Sequence, residues 1–362
     1  MLCLLNSTVL CKTLLNISTI QSSNPKSLNI LSRCFFRNGK IIMESENSEC
    51  LLQVSMDTGN DFEEIQFEFD SKFLYDYLAT IEDCNIGLEI NKNILQLKTQ
   101  NKKISIPIKS FQGHLKNVSR GDQTHISTIV LFEKLNKILF AITKQDYSLA
   151  LSAVNFTKRG KEFVGIGTNG LVLSKVNISE FINLFKEDDT LVSKNSLLEM
   201  IKVFNGEEEV CISYTKPFIN FEKGNKYLRI RAMDMSYVKI DNVIPKSFSH
   251  EIKLPKEKIK DSLKLLSRFG SSSQSIVEFK TSKDHLIIKS YNDSNFFFEE
   301  NIDCECDVTL EVRFNAKHLL EMVEHCTGDK IHLSFNNLLS PFQIKDNSPY
   351  IKWESIILPL RV

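Results

Sequence analysis

The chain has 362 residues, 42% of them hydrophobic and 25% charged, which is the composition of an ordinary globular protein with two or three domains. Its 45 basic and 45 acidic residues cancel, so the whole molecule offers no long-range attraction to nucleic acid or to a membrane. Nine cysteines are scattered without the spacing of a disulfide framework, which indicates free thiols and predicts a cytoplasmic protein.

The first predicted element is a helix at Asn6–Ser18. The first twenty residues are apolar, but they lack a basic start and a small-residue cleavage site, and Lys12 interrupts the run. Val9, Leu10 and Leu14 recur at helical spacing. An amphipathic helix is therefore predicted in place of a signal peptide, and no other stretch is long enough to span a bilayer.

A strand–turn–strand pattern then occurs three times, at Met43–Val54, Gly165–Val176 and Lys289–Glu300, each about 120 residues after the last. A repeat of this length can bury its own core, which excludes a solenoid and predicts three similar domains. The predicted domains are residues 1–120, 121–245 and 246–362.

Each third is predicted to contain two helices and two groups of antiparallel strands. The opening helices are Asn6–Ser18, Thr128–Lys144 and Pro255–Arg268, and the second helices are Ser71–Ile81, Ser193–Phe204 and Ala316–Cys326. Alternation of apolar residues predicts strands such as Lys103–Ile108 and Tyr227–Ala232. These elements predict an α+β fold with the helices on one side of the sheets.

Lysines recur on one face of two opening helices. Lys253, Lys256, Lys260 and Lys264 share a face of the third, and Lys134, Lys137 and Lys144 share a face of the second. The first opening helix offers only Lys12. Such lysines are commonly the solvated face of an amphipathic helix. Their recurrence in equivalent helices favours phosphate contacts that carry no sequence information.

No catalytic, metal or cofactor site is predicted. Cys304, Cys306 and Cys326 lie near His318 and His325 in sequence, but their spacing is not that of a zinc ribbon and favours structural thiols. The glycine-rich run at residues 165–170 lacks the Lys-Ser/Thr of a phosphate loop and stands between two strands, which predicts a hairpin. A hydrolase or transferase using Cys304, Cys306 or His318 is the least favoured alternative.

The chain resembles a bacterial DNA polymerase III beta subunit, the replicative sliding clamp, as a divergent member. The triplication carries the resemblance together with two motifs. Thr168-Asn169-Gly170-Leu171-Val172-Leu173 is similar to a turn of the family's middle domain. Ile356-Ile357-Leu358-Pro359-Leu360-Arg361-Val362 is similar to its hydrophobic-Pro-hydrophobic-Arg ending.

The resemblance implies three DNA-clamp domains per chain and a head-to-tail homodimer whose six domains form a ring. Helices would line a hole around duplex DNA, bound without regard to sequence. The implied DNA-binding residues are Lys12, Lys134, Lys137, Lys256, Lys260 and Lys264. The implied dimer interface uses Ile104 and Ile106 of an edge strand with Leu265 and Leu266 of a helix, and simple core packing is the alternative for all four.

The resemblance also implies a groove between the middle and last domains that binds short hydrophobic peptides. Its implied partners are the DNA polymerase catalytic subunit, the clamp loader and other replication or repair proteins, with no membrane partner. The implied groove residues are Leu151, Thr168, Gly170, Leu171, Val172, Leu173, Val243, Asn315, His318, Leu358, Pro359, Leu360 and Arg361. Leu171 and Val172 replace the family's His-Arg, and His318 replaces a common Tyr, so a more apolar groove is expected.

These features predict a non-enzymatic processivity factor that encircles DNA and tethers polymerase. The alternative is a scaffold with the same fold that binds peptides without encircling DNA. The first predicts a stable dimer, and the second predicts a monomer or an open assembly.

Overall fold

The structure is a computed structural model that describes residues 2–22, 31–59, 63–118, 121–143, 148–185, 189–240, 243–269, 275–291, 297–346, 348 and 350–361. The chain divides into two compact units. Unit 1 comprises residues 1–131 and 192–233, and unit 2 comprises residues 132–191 and 234–362. Among the residues just given, no helix is both long enough and apolar enough to cross a membrane.

The helices are α1 (Ser7–Ser22), α2 (Ser71–Leu78), α3 (Thr128–Leu139), α4 (Lys194–Phe204), α5 (Lys256–Phe269) and α6 (Ala316–Glu324), with 3-10 turns at Leu149–Ser152 and Ser179–Phe181. The strands are β1 (Leu2–Asn6), β2 (Ser32–Arg37), β3 (Lys40–Glu46), β4 (Cys50–Asp57), β5 (Ile65–Phe69), β6 (Asn85–Asn91), β7 (Ile94–Lys98), β8 (Lys103–Pro107), β9 (Lys109–Ser110), β10 (Gln123–Ser127), β11 (Ala153–Arg159), β12 (Glu162–Thr168), β13 (Val172–Asn177), β14 (Asp189–Ser193), β15 (Glu209–Thr215), β16 (Phe218–Lys223), β17 (Lys226–Arg231), β18 (His250–Pro255), β19 (Ile276–Ser282), β20 (His285–Tyr291), β21 (Phe297–Asp303), β22 (Glu305–Cys306), β23 (Glu311–Asn315), β24 (Lys330–Phe335), β25 (Phe342–Asp346) and β26 (Trp353–Ile357).

Unit 1 contains a four-stranded sheet in the order β1-β6-β7-β8 and a nine-stranded sheet in the order β10-β15-β16-β17-β4-β3-β2-β5-β9. The larger sheet is continuous because β17 pairs antiparallel with β4, Leu228 lying opposite Leu52. Strands of the first two predicted domains therefore share one sheet. Helix α1 packs on α2 and α4.

Unit 2 contains a nine-stranded sheet in the order β14-β11-β12-β13-β26-β25-β24-β18-β22 and a four-stranded sheet in the order β21-β20-β19-β23. Here β13 pairs antiparallel with β26, and Leu173 lies opposite Ile356. This pairing joins strands of the second and third predicted domains. The α+β fold with helices on antiparallel sheets is confirmed, while the three domain boundaries stay a prediction.

The three repeated patterns are hairpins. Strands β3 and β4 pair antiparallel, as do β12 with β13 and β20 with β21. The turn of the third hairpin, residues 292–296, lies outside the described residues. The run at residues 165–170 thus belongs to a hairpin, as predicted.

The second helices begin where polar side chains cap them. Asp70 accepts a hydrogen bond from the Phe73 amide, Ser193 accepts one from the Ser196 amide, and Asn315 caps α6. Such caps satisfy amide groups that have no partner inside the helix. They explain why α4 starts at Lys194, one residue after the predicted start.

The opening helices differ from their predictions at the ends. Leu10 and Leu14 are buried on one face of α1, as predicted, but Val9 is 50% exposed and strand β1 precedes the helix. Helix α3 ends at Leu139, and residues 144–147 lie outside the described part of the chain. Pro255 ends β18 and does not begin α5.

Glycines at two alternate positions of β12 let α3 approach the sheet of unit 2. A Cβ atom at Gly167 would stand 2.7 Å from Ile142 Cγ1 and 2.9 Å from Ile138 Cγ2, and one at Gly165 would stand 2.6 Å from Ile138 Cδ1. Both distances to Ile138 lie below normal van der Waals contact, so only glycine fits. One face of this sheet therefore packs on residues of and just after α3, and the opposite face is called the outer face below.

Candidate functional site

The predicted groove begins at the turn between β12 and β13. The Asn169 Oδ1 atom accepts hydrogen bonds from the amides of Leu171 and Val172 at 2.9 and 2.8 Å. The Thr168 hydroxyl donates to the Val172 carbonyl at 2.7 Å and accepts from the Gly170 amide at 3.1 Å. Gly170 has φ +89°, which a side chain would strain. These bonds hold the turn so that Leu171 projects outward, 49% exposed.

The C-terminal tail lies beside this turn. The Leu358 amide donates to the Leu171 carbonyl at 3.0 Å, and the Leu360 amide donates to the Arg313 carbonyl at 2.8 Å. Leu358, Pro359 and Leu360 are half-buried. Because chain ends usually fray unless they are docked, these two bonds place the tail as one wall of the groove.

The start of α6 lies next to the far end of the tail. Asn315, two residues after Arg313, accepts hydrogen bonds from the amides of Lys317 and His318 at 3.0 and 3.2 Å. Burial lowers the pKa of His318, so its imidazole is neutral at neutral pH. The structure thus brings Leu171, the tail and the start of α6 together, as the resemblance implied.

The floor of the groove is an apolar row on the outer face of the sheet, and it is buried: Thr168, Leu173 and Ile356 are 6%, 3% and 1% exposed, so the structure contradicts a direct peptide contact for the side chains of Thr168 and Leu173. Thr168, Leu173 and Ile356 form one transverse row across β12, β13 and β26. Ile240, from the segment before β18, packs on Leu173 and Ile356. Sequence reasoning missed Ile240 and Ile356 as groove residues, although Ile356 stands two places before Leu358 and so shares its side of an extended strand.

One predicted groove residue, Val172, differs in position. Val172 is buried on the face that packs on α3, because the next residue of that face, Ser174, donates its hydroxyl hydrogen bond to the Lys137 carbonyl. The assignment of the Val172 side chain to the groove is therefore wrong. Leu151 is half-buried in the turn that precedes β11, and Val243 is 37% exposed after Ile240.

The structure contradicts the assignment of Lys137 to DNA binding. Lys137 is only 3% exposed, and its ammonium group lies 3.0 Å from Asp346 Oδ2 and 5.0 Å from the centroid of the Trp353 ring. It also donates to the His325 carbonyl. An ammonium group that leaves this site would strand a buried carboxylate, so Lys137 holds α3 to β25 and β26.

Lys134 is also wrongly assigned. Its side chain is buried and forms an ion pair with Glu180, in the 3-10 turn at Ser179–Phe181. The lysine face of α3 is therefore the packed face of the helix and not a solvated one. The prediction that Lys134 and Lys137 share one face of α3 was correct. The prediction that this face is exposed to solvent was wrong.

The lysines of α5 retain their positions at the surface with part of their charge compensated. Lys260 forms an ion pair with Glu257, and Lys264 lies 3.9 Å from Glu324. Lys256 donates to the Cys326 carbonyl. Lys258 is exposed and has no ion pair within the part of the chain that is described. Helix α5 is therefore positively charged, but fewer of its charges are uncompensated than its number of lysines suggests.

Lys12 of α1 is exposed and lines a cleft of about 520 Å³ in unit 1. Lys202, in the last turn of α4, lines the same cleft and was not predicted. Lys202 could have been selected from the sequence, because it is a lysine on the second helix of the middle repeat. Two helices of unit 1 thus present lysines to one cleft.

Only half of the predicted interface side chains are accessible. Ile106 and Leu266 are each 2% exposed inside their own units, so the structure contradicts a direct role for them in an interface. Ile104 is partly exposed and Leu265 is 41% exposed. Strand β8, which carries Ile104, is an edge of its sheet.

The cysteines and histidines of unit 2 do not form a metal site within the residues described. Burial raises the pKa of Cys304 to about 11 and that of Cys326 to about 12, so both thiols are protonated at neutral pH. Burial, with a smaller effect of the nearby Lys137 charge, lowers the pKa of His325 to about 4.

Comparison with known proteins identifies the fold. The family described as DNA polymerase III beta subunit, C-terminal domain, matches residues 241–361. The beta sliding clamp of Staphylococcus aureus is 20% identical over 341 residues, covering 89% of each chain, and that of Mycoplasma capricolum is 21% identical over 344 residues, covering 92% of this chain and 88% of that protein. The crystal structure of the DNA polymerase III subunit beta from Pseudomonas aeruginosa superposes with a TM-score of 0.90 and 14% identity over 100% of both chains. Residues 241–361 therefore match the C-terminal domain of the DNA polymerase III beta subunit, and the whole chain is similar to the beta sliding clamps and has the fold of the beta subunits.

Proposed function

We propose that this protein is a replicative DNA sliding clamp: a non-catalytic processivity factor that encircles duplex DNA as a homodimeric ring and tethers partners through the groove. The observation that carries the proposal is the likeness to beta subunits over the full length of the chain. Each chain contributes three domains, residues 1–120, 121–245 and 246–362, to a ring of six.

Enclosure of DNA does not require tight binding. Lys12 and Lys202 in unit 1, with Lys258 and Lys264 in unit 2, supply exposed ammonium groups for phosphate contacts. Several lysines of α5 are partly neutralised by carboxylates or carbonyls, and the net charge of the chain is zero. Weak, salt-sensitive contacts of this kind suit a ring that slides.

A head-to-tail dimer would join the free edge of β8 to the free edge of β21, each of which is terminal in its sheet. Lys103 begins β8 and Lys102 directly precedes it, whereas β21 carries Glu299, Glu300 and Asp303. Opposite charges on the two edges favour their pairing and disfavour pairing of like edges. Ile104 and Leu265 remain as apolar contacts at such an interface.

The groove would bind short hydrophobic peptides of the polymerase catalytic subunit, the clamp loader and other replication or repair proteins. Leu171, Leu358 and Leu360 supply apolar walls, and the neutral His318 adds an aromatic surface without charge. Replacing Leu171 by Ser should weaken binding of such a peptide about tenfold or more without changing the melting temperature, because the side chain is half-exposed. Replacing the exposed Ile94 by Ser in unit 1 is the matched control.

The testing experiment is retention on DNA. The protein is loaded by its clamp loader with ATP onto nicked circular DNA, and the complex is washed in high salt before and after linearisation of the DNA. Retention on circles with loss on linear DNA, together with a mass near twice 41.6 kDa by light scattering, is expected.

A second candidate, a peptide-binding scaffold that does not encircle DNA, is favoured by one observation. Lys134 and Lys137 are buried, which removes two of the six predicted DNA contacts. A monomeric mass on dilution, with peptide binding intact and equal loss from circular and linear DNA, would establish the scaffold and overturn the ring.

A further inference from the structure

A second cleft lies on the outer face of unit 2, beside the groove. It has a volume of about 500 Å³ and an apolar floor that includes Ile166 and Ile240. Four basic side chains and one acidic side chain line it, namely Arg159, Lys175, Lys246, Lys345 and Glu354. We refer to it as the cationic cleft. Its size is that of a pocket that takes a small ligand or a few residues of a peptide.

The single carboxylate of the cationic cleft is already compensated. Glu354 lies with Oε1 2.6 Å from the Lys175 ammonium, and its Oε2 accepts a hydrogen bond from Gln343 at 2.7 Å. Lys246 and Lys345 are exposed, and neither has an ion pair in the described ranges. The cleft therefore carries a net charge of about +3 in a protein with no net charge, which selects for an anionic ligand.

Strand register places the cationic cleft directly beside the floor of the groove. Ile166, Lys175, Glu354 and Lys345 form a transverse row across β12, β13, β26 and β25. The groove row of Thr168, Leu173 and Ile356 is two residues further along the same strands and on the same face. The two rows are thus about 7 Å apart, which is the spacing of alternate side chains in an extended peptide.

We infer that the cationic cleft binds acidic residues that flank the hydrophobic segment of a partner peptide seated in the groove. This inference rests on the proposed peptide groove and adds a selectivity for carboxylate side chains next to the apolar anchor. The accessible apolar residues Leu171 and Leu358 lie one row beyond the buried Leu173 row, so an extended peptide that seats a leucine against them reaches the Lys175–Lys345 row with a side chain four places away.

An acidic peptide fits the cationic cleft better than a nucleic acid does. The apolar floor would face the uncharged parts of a peptide, and Phe248 adds to that surface. A nucleic acid bound in the cleft would bring its phosphates close to the Glu354 carboxylate, which lies between Lys175 and Lys345 and carries the same sign of charge. Rim lysines of this kind change association rates and salt dependence more than they change the affinity of the anchor.

The test uses two synthetic peptides with the same Leu-Ser-Leu-Phe core, flanked on both sides by Glu-Asp-Glu or by Gln-Asn-Gln. Fluorescence anisotropy with the full-length protein measures their affinities at 50 and 300 mM NaCl. The acidic peptide should bind about tenfold more tightly at low salt, since each exposed ion pair contributes up to about fivefold. The advantage should fall to about twofold at high salt.

Substitutions test whether the lysines of the cationic cleft cause the preference for the acidic peptide. The double variant Lys246→Gln, Lys345→Gln should remove most of the advantage of the acidic peptide and leave the affinity for the neutral peptide unchanged. Lys283→Gln, an exposed lysine outside the cleft in the turn between β19 and β20, should keep the advantage.

Three results would overturn the inference. Equal affinity for both peptides would leave the groove intact and remove the acidic preference. An acidic preference that survives the double variant would place the charge effect elsewhere. A dT12 oligonucleotide that binds in a way sensitive to Lys345→Gln would assign the cleft to nucleic acid. Failure of both peptides to bind would instead overturn the groove, and this inference with it.

Discussion

Replacement of Lys137 by Met tests whether this lysine is structural. Met keeps most of the length and volume of the lysine stem but removes the ammonium group from Asp346, the His325 carbonyl and the Trp353 ring. Breaking one partner of a buried ion pair costs about 3–5 kcal/mol because the other charge is left uncompensated. Asp346 keeps hydrogen bonds from Thr327 and from the Ser348 amide, so about 3 kcal/mol is expected.

The assay is unfolding in urea, monitored by the fluorescence of Trp353. This residue is the only tryptophan of the chain, and its indole N–H donates to the Lys137 carbonyl at 3.0 Å, so the signal reports on the site itself. The second variant, Lys137→Met with Asp346→Asn, should recover at least half of the lost stability, because the amide oxygen can still accept from Thr327 and no charge is stranded.

Lys258→Met is the matched control, since an exposed lysine without an ion pair should change the free energy of unfolding by less than about 0.5 kcal/mol. Retention of the Lys137→Met protein on circular DNA should equal that of the unmodified protein under conditions where both are folded. A loss of stability below about 1 kcal/mol together with faster release from DNA would refute the reasoning and return Lys137 to the DNA-binding surface.

Three other predictions follow from the contacts described above. Gly167→Ala should lower the free energy of unfolding by about 1–3 kcal/mol, because the new Cβ overlaps Ile142, and a melting temperature unchanged by calorimetry would contradict this. Charge reversal of Lys12 and Lys202 to Glu should shorten the lifetime on nicked circular DNA several-fold at low salt with the mass unchanged; an unaltered lifetime would remove the unit 1 cleft from the DNA surface. Burial holds the pKa of His325 at about 4, below its value of about 6.5 in the unfolded chain, so the unfolded state binds the extra proton and stability should fall as pH drops from about 6.5 toward 4. Urea titrations of the His325→Asn variant should show a flatter pH profile, and an identical profile would assign the effect to other groups.

Much of the fold followed from local patterns in the sequence. The three hairpins, the amphipathic α1 and the second helices depend on alternation, on helical periodicity and on capping side chains such as Asp70 and Asn315. These signals act within a few residues, so they can be recognised without knowing what packs against them. The turn from Thr168 to Val172 is of the same kind, because Asn169 forms its bonds two and three residues away.

The groove was predictable only in part. The tail motif pointed to Leu358 and Leu360, but the docking of the tail depends on the carbonyls of Leu171 and Arg313, which are distant in sequence. Val172 was placed on the wrong side of its strand because neighbouring residues of a strand face opposite directions, and only the packing of α3 shows which face is covered.

The sequence by itself determined that the chain repeats an α+β unit three times and which residues form its hairpins and helices. The tertiary structure decided which side chains of those elements are free to bind. Lys137 has the spacing of a solvated lysine, yet its partner Asp346 is 209 residues away along the chain and buries it. The periodicity of a helix shows which residues share a face, but the direction of that face is set by the non-local neighbours that pack on it.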